Sequence, residues 1–161
     1  MLLHCILEVV LFRISQLIKK YHEHYFWGLD IIENTIEAWH KIIKTRDAAG
    51  LDNILAENVV FHSPVVHTPQ QGKEITKLYL IAALYVFNND SFKYLREVIS
   101  GNNAFLEFST VIEGITVNGV DMITWDADGR ITDFKVMVRP LKAINLIHRM
   151  MGEMLQKIKP G

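Results

Sequence analysis

The chain has 161 residues, half of them hydrophobic and 22% charged, with 17 Lys and Arg against 18 Asp and Glu. This length and composition suit one compact domain, and two domains are not expected. The net charge of −1 provides no basic surface for nucleic acid, and the single cysteine excludes an internal disulfide and a cysteine-based zinc site. Such cysteine usage is typical of a reducing compartment, so we expect a cytoplasmic protein.

Residues 1–29 are predicted to form an N-terminal appendage outside the main domain. The apolar run over residues 2–12 contains Glu8 and is far shorter than the roughly 20 residues that span a bilayer. The run also lacks the basic start and the cleavage site of a signal peptide. Apolar residues at helical spacing predict an amphipathic helix. Two interpretations stay open, namely packing on the domain surface and an over-extended reading frame.

Helices are predicted to open the main domain. Asp30 and Glu33 form a capping-box pattern, and the apolar positions that follow predict a helix that ends before residue 47. A short helix near residues 51–56 leads into a strand over residues 58–62. The Ser63-Pro64 pair ends that strand, because proline cannot continue a ladder of hydrogen bonds. After a loop, a second apolar stripe predicts a helix over residues 73–87.

From residue 88 the hydrophobic period changes from 3.6 to 2. Turn signals divide this part into four strands, near residues 92–99, 104–113, 115–125 and 130–138. The segment 140–161 then predicts a closing amphipathic helix. Short turns join the strands, so we predict an α+β fold in which a curved antiparallel sheet packs against the helices.

Alternation along the strands assigns the two faces of the sheet. The helices are expected to cover the face that carries Ala104, Leu106, Phe108, Thr110 and Ile112. The opposite, outer face carries a mixed apolar patch of Val120, Met122, Thr124, Lys135 and Met137. Exposed apolar sheet surface is typical of self-association, so a homodimer through this face is expected. Coverage of the patch by the N-terminal appendage is the alternative.

Residues 119–139 (GVDMITWDADGRITDFKVMVR) resemble the nuclear transport factor 2-like superfamily, especially its SnoaL-like and ketosteroid isomerase-like members. The shared features are an Asp inside a strand, a following aromatic residue, an Asp-x-x-Gly-Arg-Ile hairpin and a final strand. Residues 57–72 (ENVVFHSPVVHTPQQG) also fit the family's first strand and next loop. The resemblance covers about residues 31–139. We therefore divide the chain into the appendage, a SnoaL-like domain over residues 30–139 and the C-terminal helix over residues 140–161.

The resemblance implies a cystatin-like α+β roll, in which a cone-shaped, curved antiparallel sheet wraps around the N-terminal helices. An apolar pocket is expected at the open end, and many members of the superfamily dimerise through the outer face of the sheet. Members include isomerases, polyketide cyclases, dehydratases, epoxide hydrolases and non-catalytic binders. The fold alone therefore does not choose the function.

Carried over by residue, the resemblance places Asp121 where ketosteroid isomerases keep a protonated aspartic acid that hydrogen-bonds the substrate oxyanion. Ser63 stands where those enzymes have a carboxylate base, and Trp39 stands where they have a second donor, a tyrosine. These two departures disfavour steroid-type isomerisation. His62 and His67 are the substitute bases to consider. Strand alternation points His62 away from a pocket that Ser63 faces.

Metal and serine-hydrolase sites are not supported by the spacing of these residues. His62 and His67 have no acidic residue or cysteine nearby to complete a ligand set, and His22 and His24 would lie on different faces of a helix. Ser63 is not part of a G-x-S-x-G elbow. The Asp-Arg-Asp arrangement of limonene epoxide hydrolases is not evident either. We therefore expect neither a metal nor another cofactor.

Three functions stay open. The first is binding of a small hydrophobic molecule in an apolar pocket, with Asp121 and Ser63 as its polar points. The second is an enzyme of isomerase, cyclase or dehydratase type, with Asp121 as acid or oxyanion donor and His62 or His67 as base. The third is a homodimeric interaction module that acts through its sheet face and closing helix. The predicted pocket residues are Trp39, Ser63, Tyr79, Phe108, Thr110, Ile112, Phe134, Val136 and Val138.

Overall fold

The computed structural model describes residues 13–19 and 35–158. Residues 13–19 are helical, and their side chains are exposed. Helix α1 is described over residues 35–45. The predicted capping residues Asp30 and Glu33, and most of the predicted N-terminal appendage, lie outside the described residues.

The remaining elements follow the predicted order. A 3-10 turn, Ala48–Gly50, leads into a short helix, and a strand, a two-residue strand, a long helix, four further strands and a closing helix come after it. Their bounds are α2 Leu51–Ile54, β1 Leu55–His62, β2 Gln70–Gln71, α3 Lys73–Phe87, β3 Lys93–Ser100, β4 Asn103–Ile112, β5 Ile115–Trp125, β6 Ile131–Arg139 and α4 Leu141–Ile158.

The strands form one six-stranded sheet in the order β2-β1-β6-β5-β4-β3. Strands β3 to β6 pair in antiparallel fashion, as the turn signals predicted. Strand β1 pairs with β6 in parallel and with β2 in antiparallel fashion. Strand β1 also starts three residues earlier than predicted, because α2 ends at Ile54 rather than near residue 56. The predicted α+β roll is confirmed, with this parallel pair added to the antiparallel sheet.

Alternation on β4 is as predicted. Its residues 104, 106, 108, 110 and 112 are buried against helices, whereas Phe105 and Val111 are exposed. The buried side chains form two clusters. The first joins α1, β1 and the middle of the sheet around Trp39 and Phe134, and the second joins α3, α4 and the far end of β4 around Phe108. The site described below lies where these clusters meet.

No helix in the described part of the chain is long and apolar enough to cross a membrane.

Candidate functional site

A cavity of about 60 Å³ lies between the two clusters. Six aromatic side chains line it, together with aliphatic residues from α3, α4 and the sheet. The aromatic residues are Trp39, Phe61, Phe87, Phe92, Phe108 and Phe134. Three polar residues, Ser63, Asn88 and Asp121, reach the same space. The cavity is therefore an apolar chamber with few polar points, as is usual for small-molecule sites.

Strand β5 brings Asp121 to the cavity. The inward side chains of β5 alternate through Val117, Asp121 and Trp125, so a carboxyl group stands in a row of core positions. Asp121 pairs with Val136 on β6 and is only 7% exposed. On the other side of β6, β1 ends at His62, which pairs with Lys135. Ser63, the next residue, therefore reaches the cavity one strand beyond β6.

Asp121 ends a chain of hydrogen bonds that starts on α1. The indole Nε1–H of Trp39 donates to the Tyr94 hydroxyl at 2.8 Å, and that hydroxyl donates to Oδ2 of Asp121 at 3.0 Å. Within the described part of the chain, Oδ1 of Asp121 has no hydrogen-bond partner. The network within the described residues therefore uses one of the two carboxyl oxygens.

Burial controls the charge of this carboxyl group. Removal from water raises the pKa of Asp121 from 3.8 to about 7, and the hydrogen bond from Tyr94 opposes that increase. Burial and the nearby Asp121 charge together raise the pKa of Tyr94 well above its ordinary value, so Tyr94 stays protonated. Near neutral pH, Asp121 therefore exists in both its acidic and its ionised form.

The two predicted bases lie elsewhere. Nε2 of His62 is 2.8 Å from Oδ2 of Asp133, and His62 does not line the cavity, in keeping with the alternation that turns it away from the side of Ser63. His67 is exposed in the loop between β1 and β2. Among the described residues that line the cavity, Asp121 is the only one that ionises.

Five of the nine predicted pocket residues line the cavity, namely Trp39, Ser63, Phe108, Phe134 and Val136. The other four do not. Tyr79 packs its ring against Phe61 at 5.4 Å, and Ile112 and Val138 belong to the second cluster or its margin. Thr110 is buried, and its hydroxyl donates to the Phe87 carbonyl at 3.2 Å. These residues share the inward face of the sheet but lie away from the cavity.

Sequence reasoning missed Tyr94 and Asn88. Tyr94 lies on the edge strand β3, where most side chains are exposed, and Asn88 ends α3. The available signal was the spacing of two aromatic residues, Phe92 just before β3 and Tyr94 within it, which are two residues apart. Phe92 and Tyr94 reach the site because β3 pairs with β4 and the sheet curves, and local periodicity cannot predict that.

Within the described residues, no group of three or more His, Cys, Asp or Glu side chains is arranged to hold a metal ion.

A family model described as the SnoaL-like domain matches residues 36–134. The chain belongs to the SnoaL-like domain family. This stretch includes α1, the strands through Phe134 and the Asp121 network, so the family assignment covers the site as well as the fold. The resemblance seen in the sequence is thereby confirmed.

Solved structures agree with this assignment of the SnoaL-like domain. A steroid delta-isomerase from Pseudomonas aeruginosa is 38% identical, with a TM-score of 0.75, over 79% of this chain and 93% of that one. A bacterial protein with a cystatin-like fold from Silicibacter pomeroyi is 29% identical, with a TM-score of 0.71, over 80% of this chain and 88% of that one.

A nuclear transport factor 2-like protein from Mesorhizobium loti shares the fold at 18% identity, with a TM-score of 0.61, over 69% of this chain and 93% of that one. A comparison with curated proteins gave no significant match.

Proposed function

We propose that this SnoaL-like domain binds a small, largely apolar molecule that carries one oxygen acceptor, with Asp121 as the hydrogen-bond donor. The observation that supports the proposal is a carboxyl group, 7% exposed, whose Oδ1 has no partner among the described residues and whose side chain lines an aromatic cavity. Because Oδ1 is open to the cavity and bonds no described residue, the acid form of Asp121 can donate a hydrogen bond to a ligand oxygen there.

The size of the cavity restricts the ligand. A volume of about 60 Å³ holds a few water molecules, whereas sites for larger organic ligands measure about 300–1,000 Å³. Benzene is bound by a cavity of about 150 Å³, so even a molecule with one ring requires the wall to move outward. Helix α4 supplies Ile147 and Met151 to that wall.

Acetophenone and ethylbenzene test the proposal, because they have nearly the same shape and differ in the carbonyl oxygen. A ligand that binds only the folded state raises the unfolding temperature. We expect acetophenone to raise it more than ethylbenzene at pH 6, where most Asp121 is protonated. Asp121→Leu should remove the difference, and Asp121→Asn, which keeps an N–H donor, should retain part of it. Equal stabilisation of the wild-type protein by both compounds would contradict the proposal.

Proton transfer is the second candidate function. Two observations favour it: the 38% identity to a steroid delta-isomerase, and a carboxyl pKa of about 7, which suits an acid that acts near neutral pH. Ser63 replaces the carboxylate base expected from the family resemblance, and the described cavity wall holds no second ionising group. Asp121 would therefore hydrogen-bond the oxygen of the developing enolate, while a water molecule accepts the proton from the α-carbon.

Exchange of the methyl hydrogens of acetophenone in D₂O tests this second function. Proton NMR should show loss of the methyl signal faster with wild-type protein than with Asp121→Leu. Asp128→Asn provides a matched control, because Asp128 is exposed and lies outside the cavity. Exchange no faster than in buffer would leave binding as the function.

We also propose that two copies pair through the outer face of the sheet. Val98, Phe105 and Met137 are 59%, 41% and 56% exposed there, and they line one shallow groove with Val120. Adjacent exposed apolar side chains of this kind are typical of association surfaces.

A further inference from the structure

The direction of the hydrogen bonds at Asp121 is fixed by the chemistry of their first donor. The indole nitrogen of Trp39 carries one hydrogen and cannot accept a hydrogen bond. It lies 2.8 Å from the Tyr94 oxygen, which must therefore accept. The hydroxyl hydrogen of Tyr94 then has one acceptor among the described residues, Oδ2 of Asp121 at 3.0 Å. The two hydrogen bonds therefore point in one direction, with Trp39 donating to Tyr94 and Tyr94 donating to Asp121.

This direction distinguishes the two oxygens of the carboxyl group. A hydrogen on Oδ2 would either point at the Tyr94 hydroxyl and leave it without an acceptor, or make Oδ2 a hydroxyl oxygen, which accepts less strongly than a carbonyl oxygen; both are unfavourable in a buried position. The acid form therefore carries its hydrogen on Oδ1. No described residue bonds Oδ1, and Asp121 lines the cavity, so the O–H group is available to a molecule bound there.

We infer that Tyr94, braced by Trp39, is a positioning residue that fixes the hydrogen of Asp121 on Oδ1 and makes the cavity selective for ligands with a hydrogen-bond acceptor, such as a ketone. This inference rests on the proposed binding function and narrows its ligand class. In the acid form, which predominates below pH 7, a ligand whose only polar group is a donor would meet the hydrogen on Oδ1 and lose a hydrogen bond. Tyr94 is not among the residues that line the cavity, so it acts through Asp121.

Among the described residues, few charged or titratable groups lie near Tyr94 and Asp121. On β3, Glu97 interacts electrostatically with Tyr94, and on α1 the ring of His40 lies 5.4 Å from the ring of Tyr94. His40 and Glu97 are 3.2 Å apart at Nε2 and Oε1. The wall supplied by α3, α4 and β6 around the cavity consists of apolar side chains together with Asn88 after α3. The apolar members are Leu80, Ala83, Leu84, Phe87, Phe134, Val136, Ile147 and Met151.

Tyr94→Phe tests the inference without any ligand. The carboxyl ¹³C signal of Asp121, followed by NMR across pH, gives its titration midpoint in each protein. Because the Tyr94 hydrogen bond stabilises the ionised form, its removal should raise the midpoint above that of the wild-type protein. Looser packing that admits water would lower the midpoint instead, so the sign separates positioning from a merely structural role. An equal or lower midpoint overturns the inference.

Two further variants keep the test decisive. Trp39→Phe retains Tyr94 but removes the hydrogen bond that the indole donates to it, so we expect the titration midpoint of Asp121 to rise by less than in Tyr94→Phe. This variant takes the place of Tyr94→Phe should that variant fail to fold. Tyr85→Phe changes an exposed hydroxyl on α3 and should leave the midpoint unchanged.

Binding supplies the second measurement. At pH 6, the preference for acetophenone over ethylbenzene should fall about fivefold in Tyr94→Phe, the equivalent of one hydrogen bond. A wild-type protein without any preference contradicts the proposed function itself. A wild-type preference that Tyr94→Phe retains in full overturns the inference about Tyr94 alone.

Discussion

Asp121 is buried by the same apolar side chains that make the cavity, so its charge affects the stability of the fold. Its pKa is about 7 in the folded protein against an ordinary value of 3.8. Protonation is therefore tighter in the folded state, and the folded state is favoured most at low pH. This contribution is complete below about pH 4 and is lost as pH rises through 7. The difference corresponds to about 4 kcal/mol as an upper limit.

Asp121→Asn removes this dependence, because the amide does not ionise. We expect the free energy of unfolding of the variant, relative to wild type, to increase by up to about 2.6 kcal/mol between pH 5 and pH 8, because the rest of the 4 kcal/mol is already lost below pH 5. Urea denaturation at both pH values measures the change. Asp128→Asn alters an exposed carboxyl group and should show no such trend. If the stability of Asp121→Asn relative to wild type is the same at both pH values, burial does not raise the pKa of Asp121.

The sequence could predict which residues reach the cavity where they occupy positions that the family resemblance marks as part of the site. Asp121, Ser63 and Trp39 all reach the cavity, although Trp39 bonds Tyr94. Tyr94 could not be predicted, because its role depends on a hydrogen bond that crosses β4 to reach β5. His62, considered as a base, is adjacent to Ser63 in sequence, yet its Nε2 contacts Oδ2 of Asp133 and not the cavity. Adjacent residues of a strand face opposite sides of a sheet.

At the scale of elements, α4 is both a structural support and part of the cavity wall. Its apolar face buries Ala143, Leu146, Ile147 and Met151 against the second cluster. Arg149 on its other side bonds both carboxylate oxygens of Glu113, at 2.8 and 3.1 Å, in the turn before β5. Exposed ion pairs contribute about 0–1 kcal/mol, so the apolar face holds the helix in place.

Met151→Ala should therefore destabilise the protein and enlarge the site. Loss of a buried Met side chain costs about 2–5 kcal/mol, which urea denaturation would detect. The larger space should increase stabilisation by 2-acetylnaphthalene relative to acetophenone in thermal unfolding. Glu113→Gln, which breaks the exposed pair, should change stability by less than about 1 kcal/mol and leave ligand size preference unaltered. An unchanged size preference in Met151→Ala would mean that α4 does not limit the ligand.

The meander was the most predictable part of the fold, since each of its four strands begins and ends within one residue of the predicted position. Alternation of side chains and turns rich in Gly and Asn are local signals. The parallel pairing of β1 with β6 was not predicted, because it joins segments far apart in the chain. Strand β2 was also missed, since two residues carry no period.

At the scale of the whole molecule, the two faces of the sheet have different tasks. The inner face holds the cavity, and the outer face exposes the groove around Val98, Phe105 and Met137. In the proposed dimer the two cavities would lie on the sides of the sheets away from the interface. Ligand binding and association would then use separate surfaces, which allows each to be tested without the other.

Met137→Glu tests the dimer, because it places a charge on an exposed apolar position of the groove. We expect wild-type protein to sediment as a dimer and Met137→Glu to sediment as a monomer in analytical ultracentrifugation. Tyr85→Glu introduces the same charge at an exposed position on α3 and should remain dimeric. Monomeric wild-type protein would overturn the proposed pairing. It would also weaken the third function considered from the sequence, a homodimeric interaction module.

The parallel pair of β1 and β6 also has a consequence for the folding pathway. Strands β3 to β6 follow one another through short turns, whereas β1 and β6 are separated in the chain by β2, α3 and strands β3 to β5. Because closing a long loop is slow, we expect the meander to form first and β1 to join it afterwards. Asp121 is exposed to water in the unfolded chain and is 7% exposed in the fold. Between about pH 5 and pH 7, the chain therefore takes up a proton from solvent as it folds.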